Sequence, residues 1–154
     1  MNKLIHSFGY AVCGIGKCIR TERNFRIHLV ALGCVIWMSR FYSFSVSEKA
    51  VLVVTCGMVM MGELCNSAVE RSVDLCTQQE HPLAKDAKDM AAGAVLLSAC
   101  MAVVVGVMLF GEMEGLTSCF CYFTEQPRRL LGLAGAALAA LFFVFLPEKF
   151  ASPK

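Results

Sequence analysis

Charge is scarce in this sequence. Only 17% of its 154 residues are charged and 57% are hydrophobic, whereas an ordinary soluble domain is about 45–50% apolar. The few charges lie in clusters between long apolar runs. A chain of this length allows one domain and not two. The composition therefore predicts a single membrane-embedded domain.

Signatures of other protein classes are also missing. The N-terminus has no short apolar core followed by a small-residue cleavage site, so we expect no cleavable signal peptide. The nine cysteines form no repeated CxxC pair, which argues against a zinc site. The spaced pair Cys119 and Cys121 is too weak a pattern to indicate a metal site or a disulfide. We expect the cysteines to be small, buried, reduced side chains.

Residues 1–26 predict an amphipathic helix. Apolar side chains recur at spacings of three and four between Leu4 and Ile19, with lysines and arginines among them. Such a helix is expected to lie on a membrane surface, with its basic side chains near lipid phosphates. The GIGK run at residues 14–17 is similar to a phosphate-binding loop, but Cys18 replaces the required Ser or Thr and no strand precedes it.

Four apolar segments follow this helix. We predict membrane spans at residues 27–46, 50–69 and 89–111. Residues 112–154 are predicted to form a loop and an extra apolar helix at 130–146, which either spans the membrane or lies against the bundle. The fold class is thus all-α: an integral membrane helical bundle with an N-terminal surface helix, three membrane helices and a fourth C-terminal apolar helix.

The basic residues predict the orientation of this bundle. Cytoplasmic loops carry an excess of lysine and arginine. If both termini and the 71–88 connection lie in the cytoplasm, ten of the 14 lysines and arginines are inside. Those ten are Lys3, Lys17, Arg20, Arg23, Arg26, Arg71, Lys85, Lys88, Lys149 and Lys154. The candidate chemical groups then face the nucleotide pool of the cytoplasm.

A polar stripe ends the second apolar segment. Four residues at spacings of three and four share one helix face: Glu63, Asn66, Glu70 and Asp74. A charge at the centre of a membrane helix costs about 2.5–3.5 kcal/mol on insertion scales. Intramembrane ionisable residues are for that reason functional candidates by default.

Spacing along the helix separates two roles. The Cα atoms of Glu63 and Glu70 are about 10 Å apart, which is too far to share one metal ion. Glu70, nearer the aqueous interface, is a candidate Mg²⁺ ligand, and the deeper Glu63 is a candidate proton acceptor. Asn66 can hydrogen-bond either carboxylate or a phosphate. With Lys88 and Asp89 at the same interface, the set predicts phosphoryl transfer to a hydroxyl held at membrane depth.

Other interpretations of the stripe stay open. Polar groups at the end of a span often lie among lipid headgroups, and Glu70 can pair with Arg71 or Lys88. A catalytically silent membrane scaffold would have no need of charge at the depth of Glu63. An ion-conducting bundle would place polar residues in the middle of several spans, where the other segments have almost none.

Three motifs resemble those of the prokaryotic diacylglycerol kinase family, small integral membrane lipid kinases that include the undecaprenol kinases. They are residues 22–26 (ERNFR), residues 63–70 (ELCNSAVE) continuing to Asp74, and residues 81–89 (HPLAKDAKD). The resemblance covers about residues 3–110. It implies a surface helix and three membrane helices per subunit, within a kinase domain at residues 1–111.

The resemblance also implies a homotrimer with active sites shared between subunits, ATP as co-substrate with Mg²⁺, and no nucleic-acid partner. The runs at residues 21–28 and 81–85 are more similar to the undecaprenol kinase branch. Undecaprenol is therefore the favoured acceptor, giving undecaprenyl phosphate, with diacylglycerol as the alternative. The implied location is the inner (plasma) membrane of a prokaryote, with the active site facing the cytoplasm.

Site residues follow from the same resemblance. Glu63 is the general base, and Asn66, Lys88 and Asp89 complete the catalytic set. Glu22 and Glu70 hold the metal. The residues implied to bind the nucleotide are Tyr10, Glu22, Glu70, Thr77, Gln79, Lys88 and Asp89. Two features depart from the family pattern: Gln79 stands where a glutamate is common, and residues 112–154 extend beyond the usual third span.

Overall fold

A computed structural model describes residues 2–77 and 79–147, which form six α-helices and no strand. The helices are α1 (Asn2–Thr21), α2 (Arg23–Met38), α3 (Val46–Cys76), α4 (Pro82–Phe110), α5 (Met113–Thr124) and α6 (Pro127–Val144). A short 3₁₀ helix (Ser39–Phe41) follows α2. The predicted all-α bundle is confirmed.

Local signals set the beginnings of the two longest helices. At the start of α3, Ser45 Oγ accepts the backbone N–H of Glu48 at 3.3 Å, and Glu48 Oε2 accepts the N–H of Ser45 at 2.7 Å, forming a capping box. Pro82 occupies the first turn of α4, where its missing N–H costs nothing. The side chain of His81 accepts the N–H of Leu83 at 3.3 Å. Only five residues separate the end of α3 at Cys76 from the start of α4 at Pro82, and the two helices pack as an antiparallel hairpin.

The helices α3 and α4 form the most extensive contact between two helices in the described part of the chain. A Cβ added at Gly62 would lie 3.4 Å from Ser98 Oγ and 3.8 Å from a methyl group of Val95. Small residues of this kind let membrane helices approach closely. The crossing fixes α4 relative to α3, and so it fixes the polar residues of both helices near the turn that joins them.

Three of the described helices, α3, α4 and α6, are long and apolar enough to cross a membrane. Large apolar side chains cover much of the described surface, for example Leu96, Leu97 and Val103 on α4, each about two-thirds exposed. A surface of this kind suits lipid, since helices satisfy their backbone hydrogen bonds internally. The chain is a multi-pass membrane protein.

The cysteines correct one expectation. All nine are free, and only Cys18 is buried. The prediction of buried cysteines is wrong for the others because the apolar runs that carry them turn largely outward. A small thiol is as compatible with such an apolar surface as with a core.

The N-terminal part of the chain differs from its predicted boundaries. The surface helix predicted at residues 1–26 breaks at Glu22, which has an extended backbone (φ −106°, ψ 112°). The span predicted at 27–46 is α2, which has only 16 residues and ends at Met38. With the 3₁₀ helix that follows, it reaches about 30 Å, roughly the thickness of a bilayer core.

Residues 112–126, predicted as a loop, contain the helix α5. Gly115 on α5 lies against the Tyr42 ring, where an added Cβ would overlap the ring. The rings of Phe41 and Tyr122 pack edge to face with their centroids 5.4 Å apart. The loop prediction was wrong because this short helix is stabilised by packing against a distant turn, which local pattern does not report.

The extra C-terminal helix, predicted at residues 130–146, is α6, and it packs along α2. Its end is held by Arg26, whose Nη2 donates to the carbonyl oxygen of Leu146 at 3.1 Å. Nη1 of the same side chain donates to the carbonyl oxygen of Arg20 at 3.2 Å. These contacts satisfy carbonyls near the ends of α6 and α1. The chain after α6 therefore returns to the side on which α1 meets α2.

We expect the substitution Arg26→Leu to lower the free energy of unfolding by about 1–3 kcal/mol, because the carbonyl oxygens of Arg20 and Leu146 lose their donor. Arg26 is only 3% exposed, so water cannot readily replace the guanidinium. Thermal unfolding in detergent micelles would measure the change, with Arg40→Leu at an exposed position as the control. Equal unfolding midpoints for the two variants would contradict this role of Arg26.

Candidate functional site

The first part of the site lies where α1 meets α2 and both pack on α3. Oε1 of Glu22 accepts hydrogen bonds from Arg71 Nη2 at 2.8 Å and from Thr21 Oγ1 at 3.0 Å. Arg71 also donates to Thr21 Oγ1 at 2.6 Å. Because Arg71 directly follows Glu70 in α3, this ion pair holds the Glu22 carboxylate beside the segment that carries Glu70.

The second part is the buried face of α3. Glu63 is 3% exposed and Asn66 is 9% exposed. Nδ2 of Asn66 donates to Oε1 of Glu70 at 3.0 Å. Oδ1 of Asn66 is buried without a hydrogen-bond partner among residues 2–77 and 79–147. An unsatisfied buried acceptor is costly. A hydrogen-bond donor of a ligand, or a cation, would therefore bind favourably beside this oxygen.

A residue that the sequence analysis missed, His28, contacts Glu63. Nε2 of His28 lies 3.2 Å from Oε1 of Glu63 across the α2–α3 interface, within reach of a hydrogen bond. The sequence does show that His28 is a titratable side chain within the predicted span 27–46. That span was predicted from its hydrophobic residues alone, so no role was assigned to the histidine. Only the packing of α2 on α3 reveals the partner.

The third part is an open cleft of about 960 Å³ at the turn between α3 and α4. Four predicted site residues contribute to its lining: Thr77, Gln79, Lys88 and Asp89. Thr77 Oγ1 accepts the N–H of Gln79 at 3.2 Å. Lys88 Nζ lies 2.5 Å from Oδ1 of Asp74, so the lysine is held at the cleft by a carboxylate of α3. The volume is in the range of small-molecule sites.

The site residues are arranged as a row along α3. Glu63 lies deepest, Glu70 follows two turns later, and Asp74 with Lys88 comes about 6 Å further along the axis. Asp89 is exposed at the cleft. Tyr10 is 77% exposed on α1 and does not line the cleft. The predicted site residues other than Tyr10 thus lie in three separate parts along α3, and Glu63 is about 16 Å along the helix axis from Asp74 at the cleft.

The oxygen atoms near α3 are suited to a hard cation. No group of three or more His, Cys, Asp and Glu residues in the described part of the chain is placed to hold a metal ion. Mg²⁺ does not need such a group, because it is usually bound through one or two carboxylates with waters and substrate phosphates. The carboxylates of Glu22 and Glu70 and the unpartnered Oδ1 of Asn66 are donors of this kind and fit Mg²⁺.

Comparison with known proteins shows which family the chain is similar to. Residues 9–110 match the family described as prokaryotic diacylglycerol kinase. The chain is 39% identical over 110 residues to an undecaprenol kinase of Bacillus subtilis, covering 71% of this chain and 89% of that protein. It is 47% identical over 104 residues to a diacylglycerol kinase of Synechocystis, covering 67% of this chain and 59% of that protein. A diacylglycerol kinase of Pseudomonas aeruginosa is 35% identical over 95 residues, 61% of this chain and 76% of that protein.

Proposed function

This chain belongs to the prokaryotic diacylglycerol kinase family and is a lipid kinase, and we propose that it transfers the γ-phosphoryl group of ATP to undecaprenol. The similarity to an undecaprenol kinase over 89% of that protein's length supports this acceptor. The TERNFRIH run at residues 21–28 supports it as well. The observation that carries the chemistry is a buried carboxylate, Glu63, in the same row as a cleft lined by Lys88 and Asp89.

We propose that Glu63 is the general base. Its carboxylate takes the proton of the lipid hydroxyl while the lipid oxygen forms a bond to the γ-phosphorus. The bond from that phosphorus to the β–γ bridging oxygen breaks, and ADP leaves. Asn66, with one buried oxygen unpartnered, can contribute that oxygen to the metal site.

Glu22 and Glu70 are the proposed metal ligands. Mg²⁺ bound there would neutralise charge on the transferring phosphates. The carboxylates themselves are held in place: Arg71 binds Glu22 at 2.8 Å, and Asn66 binds Glu70 at 3.0 Å. These contacts keep both side chains at the junction of α1, α2 and α3 before a nucleotide arrives.

The cleft at the α3–α4 turn is the proposed nucleotide side. Lys88 supplies a cation for the phosphates, and Asp89 beside it orients the group. Thr77 and Gln79 line this cleft and would lie beside a bound nucleotide. The side-chain amide of Gln79 can donate hydrogen bonds to it, which a glutamate carboxylate cannot. Phosphate binding would compete with Asp74 for Lys88, since the two side chains are in contact.

We further infer a homotrimer in which neighbouring subunits share active sites. Within one chain the cleft is open, Asp89 is exposed, and Tyr10 is exposed on α1 away from the cleft lining. A neighbouring subunit has room to complete such a site. In this arrangement Tyr10 contacts the nucleotide, as the family resemblance implies.

The proposed location is the inner (plasma) membrane, with the site facing the cytoplasm. Six basic residues lie near the α1–α2 junction or the α3–α4 turn, in keeping with the positive-inside rule for a cytoplasmic side: Arg20, Arg23, Arg26, Arg71, Lys85 and Lys88. The return of α6 toward Arg26 places the following residues on that same side. Two of the basic residues counted for the orientation, Lys149 and Lys154, lie outside the described residues.

Diacylglycerol is the second candidate acceptor. The similarity to a diacylglycerol kinase at 47% identity favours it. Both lipids offer a primary hydroxyl at the membrane interface, so the residues proposed for catalysis serve either one. Selection between them depends on how the apolar part of the lipid packs.

Transfer of radiolabelled phosphate from ATP would test the acceptor, with undecaprenol and diacylglycerol offered side by side in detergent micelles. We expect kcat/KM to favour undecaprenol by about tenfold or more, since each tenfold preference requires only about 1.4 kcal/mol. Preferential labelling of diacylglycerol would establish the alternative. Labelling of neither lipid, by folded protein with Mg²⁺, would favour the catalytically silent scaffold.

A further inference from the structure

In the described part of the chain, His28 is the one basic side chain that lies within 4.0 Å of the carboxylate of the proposed base. Nε2 of His28 lies 3.2 Å from Oε1 of Glu63. Glu63 is almost fully buried, whereas the His28 side chain is 24% exposed. A buried carboxylate needs a hydrogen-bond partner to hold one orientation. The histidine is placed to be that partner.

The cationic side chains near the row are already paired. Arg71 binds Glu22, and Lys88 contacts Asp74. The remaining charged groups near Glu63 are the carboxylates of Glu22 and Glu70, which repel it rather than hold it. His28 is consequently the group positioned to steady the Glu63 carboxylate in the described part of the chain.

The backbone that carries His28 is firmly fixed. Phe25 is 2% exposed and Arg26 is 3% exposed, so two neighbouring side chains in the first turn of α2 are buried against the rest of the protein. Arg26 also ties this turn to the ends of α1 and α6. A side chain one turn further along α2 therefore starts from a rigid position, which is what a supporting residue for a reactive group requires.

We propose that His28 is a positioning residue for the general base. Its Nε2–H donates to Oε1 of Glu63, which leaves the second carboxylate oxygen aimed at the hydroxyl of the acceptor lipid. The histidine touches neither substrate in this role, and it acts only through Glu63. The proposal rests on the proposed function, because it assigns a purpose to Glu63 as a base.

The test compares three single variants with wild type: His28→Ala, His28→Gln, and His6→Ala as a matched histidine control at an exposed position of α1. The glutamine amide can place a donor close to the position of Nε2. We expect His28→Ala to lower kcat by about 10–100-fold with little change in either KM, since misplacement of a reacting group by about 1 Å costs on the order of 10²-fold. We expect His28→Gln to stay within about threefold of wild type, and His6→Ala to be unchanged.

A double variant separates positioning from general structural support. In the Glu63→Gln background, His28→Ala is expected to cause no further loss of the residual rate, because residues that act as a unit are not additive. An additional tenfold loss in that background would overturn the proposal. So would wild-type kcat in His28→Ala, or an equal loss in the alanine and glutamine variants.

The outcomes also distinguish this inference from the proposed function. If wild type phosphorylates either lipid and His28→Ala is as active, the inference alone fails. If wild type phosphorylates neither lipid, both fail. Should His28→Ala not fold in micelles, His28→Leu, which has similar bulk and no donor, is compared with His28→Gln: a loss of about tenfold or more in the leucine variant alone supports the role, and equal kcat values in the two variants overturn it.

Discussion

Replacing Glu63 with glutamine is expected to lower the rate of lipid phosphorylation by about 10²–10⁴-fold, the usual contribution of a general base, without unfolding the protein. Glutamine has nearly the same shape, and its carbonyl oxygen can still accept a hydrogen bond from His28, which lies 3.2 Å from Oε1 of the native carboxylate. The change removes the basicity and leaves the packing of the α2–α3 interface in place.

The rate with labelled ATP and each acceptor lipid would be measured beside thermal unfolding in the same micelles. Glu114→Gln is the matched control, because it makes the same carboxylate-to-amide change at an exposed position of α5. We expect this control to keep wild-type activity. Wild-type activity in Glu63→Gln would remove the assignment of Glu63 as the base, and with it the main chemical role of the α3 stripe.

The part of the site that could be predicted from sequence lies on one helix. Glu63, Asn66 and Glu70 follow the helical period, and the structure places the first two on a buried face with Asn66 bonded to Glu70. A polar stripe in an apolar segment is conspicuous because it is expensive there. Periodicity and cost together were sufficient to find these residues before any packing was known.

Contacts between helices were beyond the reach of the same reasoning. Arg71 and Glu22 are 49 residues apart, and Arg26 and Leu146 are 120 residues apart. No local period links such pairs, so the partners of Glu22 and Arg26 could be found only from the packed helices. Glu22 itself came from a family resemblance and not from helix geometry. The break between α1 and α2 at Glu22 was also missed, because the apolar period continues across it and the contacts of Glu22 with α3 are not visible in local sequence.

Pairing of charges along the row distinguishes the carboxylates from one another. Within residues 2–77 and 79–147, Glu22 pairs with Arg71 and Asp74 pairs with Lys88, whereas Glu63 contacts the imidazole of His28. Glu70 has no cationic partner in this part of the chain, and its hydrogen bond comes from a neutral amide. Its negative charge is therefore the one most available to a cation from solution.

From this pairing we expect Glu70→Gln to raise the Mg²⁺ concentration needed for half-maximal activity by about 10–100-fold. The loss of one charge-assisted contact is worth about 1.5–3 kcal/mol, and each 1.4 kcal/mol is about tenfold in affinity. Activity would be measured against free Mg²⁺ at saturating ATP and lipid. The glutamine oxygen can still accept the hydrogen bond from Asn66 Nδ2, so the substitution isolates the charge from the packing.

The Mg²⁺ dependence separates a ligand from a merely structural carboxylate. Glu114→Gln should leave the Mg²⁺ curve unchanged, and Glu63→Gln should lower the plateau without moving the midpoint, because the base lies about 10 Å from Glu70 along the helix axis. A Glu70→Gln variant with a lower plateau but an unshifted midpoint would exclude Glu70 as a metal ligand. Mg²⁺ would then have to be held by Glu22, between α1 and α2, and by the nucleotide phosphates.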